Sequence, residues 1–125
     1  MNSVIAVAVG GALGAVSRYS LGLAVVSIMG SRLPWATLGV NLLGSFLIGV
    51  VVVAIGDRAV VSELWRPLLV VGFLGAFTTF SSFSLDTLLL LQQGHYNSAF
   101  GYIAVSVGAC LAATLAGMQL AKALL

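Results

Sequence analysis

Residues 72–84 read GFLGAFTTFSSFS, placing two threonines, three serines and four phenylalanines in a chain that is 61% hydrophobic and 6% charged. Hydroxyls beside aromatic rings suit one kind of chemistry, the holding of a small ion. Their O–H groups donate hydrogen bonds, and ring edges carry partial positive charge. The other polar residues inside apolar sequence are few. Asn41 lies one turn after Thr37 and offers two N–H donors and one acceptor. Tyr102, Ser106, Cys110 and Thr114 recur every four residues, which on a helix makes one stripe. Arg18 lies past the middle of the first apolar run, and Asp86 is the only acidic residue well inside any run.

Each of these residues also has a plain structural reading. Asn41 can serve a helix–helix bond or face a pore, and the sequence leaves the two open. Ser and Thr can bond their own helix, but four hydrogen-bonding side chains in line favour a polar track. Phe80 and Phe83, three apart and flanking Ser81 and Ser82, fit core packing or a passage wall. Arg18 can snorkel to an interface or draw anions into a vestibule. Asp86 lies too near a segment end for a proton or cation carrier, so a helix-end or vestibule place is expected. With no carboxylate expected along the passage, anions are favoured over cations.

The elements that must position these groups follow from composition. Soluble domains carry about 25% charged residues, so lipid is the solvent for most of this chain of 125 residues with mean hydropathy +1.19. Four apolar segments, about 4–28, 33–55, 64–91 and 99–121, each supply the roughly 20 residues that cross a bilayer. They form one all-α transmembrane domain over residues 1–125. The third segment is the longest, and its glycines and hydroxyls predict a break near 75–79. Irregular backbone at membrane depth survives only where protein buries it or where it lines a cavity. A net charge of +2, scattered, excludes nucleic acid as a partner, and the single cysteine excludes an internal disulfide. Residues 1–17 carry no Lys or Arg for a signal-peptide n-region, so the first segment is expected to be mature membrane sequence.

The connections centre on 29–32, 56–63 and 92–98. Trp35, Trp65 and Tyr96 stand near segment starts, where amphipathic rings favour the interface. Arg58, Arg66 and Lys122 fall on one side, and Arg32 with His95 on the other, a weak positive-inside bias that permits both orientations. Gly10 and Gly14 form a GxxxG pair. The fourth segment carries two lines of small residues, Gly108–Ala112–Ala116 and Ala109–Ala113–Gly117–Ala121. Such lines let helices approach closely in lipid, and they point to an oligomer.

GGALGAVSRY at 10–19, TLGVNLLGSFLIG at 37–49 and GFLGAFTTFSSFS at 72–84 resemble the three signature stretches of the Fluc (CrcB) fluoride channels. The resemblance spans all four segments, and TTFSSF inside a membrane helix is its most specific part. It implies an antiparallel homodimer of dual topology in the bacterial plasma (inner) membrane, with two fluoride pores. It also implies a structural sodium ion, not transported, at the dimer centre. By motif position the sodium would rest on backbone carbonyls of Gly75 and Thr78. The family's pore aromatics map onto Phe80 and Phe83, and its pore asparagine onto Asn41. Its polar track maps onto Tyr102, Ser106 and Thr114, with Ser81 and Thr37 nearby. Arg18 matches a first-helix arginine, and Asp86 an acidic position near the vestibule. Cys110 departs from the common serine, and a thiol is a weaker donor; Ser82 replaces the usual threonine.

The implied function is passive export of cytoplasmic fluoride, which lowers its toxicity and involves no enzyme chemistry. Two other readings compete. A small proton-coupled exporter needs a membrane carboxylate, and the first segment has none. A non-conducting assembly subunit explains the apolar bulk but not Asn41, the polar stripe and the break together.

Overall fold

The four apolar segments become helices. The computed structural model describes residues 2–56 and 63–125. The chain runs α1 (Ser3–Met29), α2 (Trp35–Ile55), α3 (Arg66–Leu74), α4 (Gly75–Phe77), α5 (Phe80–Gln92) and α6 (Tyr96–Leu124). No strand occurs among the described residues. Four stretches are long and apolar enough to cross a membrane: Ser3–Met29, Trp35–Ile55, Glu63–Gln92 and Tyr96–Leu124. The third contains α3, α4 and α5. Most of the connection expected at 56–63, with Arg58, lies outside the described residues.

Helix ends follow local chemistry rather than hydropathy. Asn2 caps α1, its side chain accepting from the Val4 N–H at 2.8 Å. Gly30 and Gly94, both at φ 81°, take the left-handed turns that close α1 and the third span. The fourth helix starts at Tyr96 and runs to Leu124, beyond the apolar segment 99–121 at both ends. Its polar first turn lies outside the apolar segment, yet backbone hydrogen bonding continues through it.

The third span departs from an ordinary helix twice. α3 is wound as a π-helix, with Pro67 in its first turn where a missing N–H does little harm. The span then leaves helical geometry at Thr78 (φ −86°, ψ 158°) and Thr79 (φ −150°, ψ 116°). The break thus falls within the expected 75–79 but not at a glycine. Gly75 is helical at φ −62°, ψ −36°, and Gly72 is buried inside α3.

The glycines serve close packing instead. α2 lies chiefly on α6, and α1 on α3. A Cβ on Gly14 would overlap the Phe73 carbonyl, and one on Gly10 the Leu68 carbonyl, so the GxxxG pair of α1 is taken up within the chain. On the other pair of helices, a Cβ on Gly49 would overlap the Thr114 carbonyl and one on Gly117 the Phe46 carbonyl. Gly117 and Ala121 are buried, whereas Gly108, Ala112 and Ala116 stay exposed. Overpacking of this kind costs about 1–3 kcal/mol and sometimes more. Gly49→Val is therefore expected to lower the thermal unfolding midpoint of the purified protein sharply. Gly39→Ala, on the same helix but with its nearest atom a Val25 methyl at 3.7 Å, should be tolerated. Equal midpoints for the two variants would contradict this packing.

Candidate ion site at the helix break

The break places a polar cluster between α2, α5 and α6. Asn41 on α2 reaches across to it. Its Nδ2 donates to the Thr79 carbonyl at 3.0 Å, and its Oδ1 accepts from the Thr79 N–H at 2.7 Å. The amide thereby binds both backbone groups of Thr79, the residue that caps α5. Thr79 in turn caps α5: its Oγ1 accepts from the Ser82 N–H at 3.1 Å and lies 3.2 Å from Ser81 Oγ. Thr78 Oγ1 donates back to the Leu74 carbonyl at 3.0 Å. Arg18 Nε donates to the Ala76 carbonyl at 3.1 Å. Helix ends leave carbonyls without partners, and here side chains of α1 and α2 reach both edges of the gap.

Alongside lies a groove of about 420 Å³. Asn41, Phe80, Phe83, Ser106 and Cys110 line it, and so do Gly75 and Thr78. Among the described residues no carboxylate does. Phe80, 78% exposed, meets Phe83 with ring centroids 5.4 Å apart and planes tilted by 49°. Phe83 meets Tyr102 at 5.3 Å and 45°. Tilted pairs turn ring edges toward neighbouring groups. Ser106 Oγ is buried and has no hydrogen-bond partner among the described residues. A buried hydroxyl left unpaired costs about 1–3 kcal/mol.

The remaining candidates separate. Tyr102 is buried beside Leu90 and Ala99, and its hydroxyl donates to Asp86 Oδ2 at 3.3 Å. It supports the groove through Phe83 and does not line it. Asp86 is thus engaged with Tyr102, not with the groove. Ser81 is exposed and stands at the capping turn outside the groove lining. Thr114 Oγ1 donates to the Cys110 carbonyl of its own helix at 3.1 Å, so the stripe reaches the groove only at Ser106 and Cys110. Arg18 and Thr37 share a second pocket of about 200 Å³ with Thr79 and Ser82, on the other side of the capping turn. Thr79 and Ser45 are the residues that sequence reasoning passed over. For Thr79 the signal was present: a threonine just before a helical run is a preferred cap, hidden here inside an apolar segment.

A family model described as CrcB-like protein, Camphor Resistance (CrcB), matches residues 5–118. The chain belongs to the CrcB family. Relatives named fluoride-specific ion channel FluC include one from Caulobacter vibrioides (strain NA1000 / CB15N), 46% identical over 98% of this chain and 97% of that protein. One from Shewanella pealeana is 47% identical over 96% of each. One from Rhizobium johnstonii is 47% identical over 99% of each. CrcB membership and four spans of membrane length make this a multi-pass membrane protein of bacterial type, with relatives named as channels rather than enzymes.

Proposed function

We propose that the chain is a passive fluoride-selective channel that lets cytoplasmic fluoride leave a bacterial cell across the plasma membrane. The observation that carries this reading is the groove at the break, where Asn41, Phe80, Phe83 and the unpartnered Ser106 meet without a carboxylate. Such walls can replace part of the water around a small anion with N–H, O–H and ring-edge contacts. The CrcB relatives named as fluoride channels give the anion its identity. Arg18 and Thr37, in the adjoining pocket, are suited to draw the anion toward the break. Cys110 takes a groove position that would hold a stronger donor if it were serine. A proton-coupled exporter is disfavoured, because Asp86 is hydrogen-bonded to Tyr102 and lies off the groove.

The working unit is an antiparallel homodimer with two pores, reached through dual insertion. Exposed Phe80 and Leu111 line the groove of the single chain, and Gly108, Ala112 and Ala116 leave an unfilled small-residue line on α6. Both features support a second copy as the covering partner. A structural sodium ion at the dimer centre completes the assembly. The donor set fits it: a hard cation takes oxygen ligands, and the break frees carbonyls at Gly75 and Thr78. Among the described residues no three His, Cys, Asp or Glu side chains converge, so main-chain oxygen is the ligand at hand. When bound, the ion supplies positive charge that ties the broken helices together. Fluoride efflux from liposomes holding only the purified chain tests the reading.

A further inference from the structure

A helix continues when the carbonyl of residue i accepts from the N–H of residue i+4. At the break, two carbonyls lose that donor to side chains. The Thr79 N–H, which would close on Gly75, donates to Asn41 Oδ1 at 2.7 Å. The Ser82 N–H, which would close on Thr78, donates to Thr79 Oγ1 at 3.1 Å. Two neighbouring carbonyls are occupied. Leu74 accepts from both the N–H and the hydroxyl of Thr78, and Ala76 accepts from Arg18 Nε. Gly75 is exposed, and Gly75 and Thr78 both border the groove.

We propose that Asn41 and Thr79 are positioning residues for a cation at the break: by capturing the Thr79 and Ser82 N–H groups, their side chains keep the Gly75 and Thr78 carbonyls free to ligate it. Arg18 removes the Ala76 carbonyl from competition. The inference rests on the sodium reading above and supplies its cause. The irregular backbone is not a passive gap. Two side chains, one from another helix and one at the gap itself, choose which oxygens stay open. Asn41 acts at both ends of Thr79, since its Nδ2 also fixes the Thr79 carbonyl at 3.0 Å. The Thr79 peptide groups are thereby held from turning back toward Gly75.

The test is thermal unfolding of the purified full-length chain across a titration of sodium chloride, with choline chloride holding ionic strength constant. A ligand that binds only the folded state raises the midpoint with its concentration. The wild type should show a saturable sodium-dependent rise. Asn41→Leu and Thr79→Val each release an N–H to close on its carbonyl, so each should weaken the apparent sodium affinity by about tenfold or more. Thr79→Ser keeps the capping hydroxyl and should match the wild type. Asn41→Asp keeps an acceptor for the Thr79 N–H and should retain the sodium response. A purely structural role would instead lower the midpoint equally in both salts. A wild-type sodium response preserved in Asn41→Leu and Thr79→Val would overturn the inference while leaving the cation reading intact. So would a response lost in Thr79→Ser. Should Asn41→Leu fail to fold, the Thr79 pair decides alone. No sodium response in the wild type would remove the cation reading and the inference with it.

Discussion

Asn41→Asp is expected to abolish fluoride flux through reconstituted protein, by about a thousandfold or more. Asn41 lines the groove and directs its amide at the break. A carboxylate there meets an anion passing within about 4 Å with a repulsion of about 4 kcal/mol at an effective dielectric of 20. That is close to three factors of ten in rate. The substitution also replaces the N–H that serves the Thr79 carbonyl with an oxygen, adding a second unfavourable contact. Because Asp keeps the acceptor for the Thr79 N–H, the protein should remain folded and sodium-responsive while it ceases to conduct. Efflux measured beside unfolding midpoints separates the two effects. Wild-type flux in Asn41→Asp would reduce Asn41 to a clamp on the backbone, off the ion's route.

Phe83→Ile is expected to cut flux by more than about tenfold without loss of the fold. Phe83 stands between Phe80 and Tyr102, with both ring pairs tilted near 50°. A ring-edge contact to the passing anion of a size like that of a ring pair, up to about 1.5 kcal/mol, lost at the barrier is about one factor of ten in rate. Isoleucine fills much of the volume but has no ring edge to turn toward an anion. It also releases Phe80 and Tyr102 from a common geometry. Efflux from liposomes at matched protein density is the readout. Unchanged flux would remove the aromatic pair from the pore wall.

Much of this was legible in the sequence, and the limits have physical causes. The four spans follow from lipid as solvent, which demands apolar length and little else, so hydropathy finds them to within a turn at most ends. GFLGAFTTFSSFS marks the break, but its glycines do not place it. Gly75 remains helical, and the gap opens where Asn41, distant in sequence, takes the Thr79 N–H. A hydrogen bond between separate helices leaves no trace in local spacing. The π winding of α3 was equally invisible. Its neighbour α1 fits against it through Gly14, over the Phe73 carbonyl. Tyr102, Ser106, Cys110 and Thr114 all lie on α6, as their spacing implies. Which members meet the groove depends on the tilt of α6 against α2 and α5, and Thr114 turns to its own backbone. Asn41 had two open readings; its amide makes the inter-helix bond to Thr79, and the residue borders the groove.

The most direct test of the account is ion efflux from liposomes that contain only the purified chain, loaded in parallel with fluoride and with chloride. Rapid fluoride loss with chloride retained is expected, in the absence of any proton gradient. Chloride leaving as fast as fluoride would contradict the selectivity assigned to the groove, and folded protein that passes neither ion would contradict the channel itself.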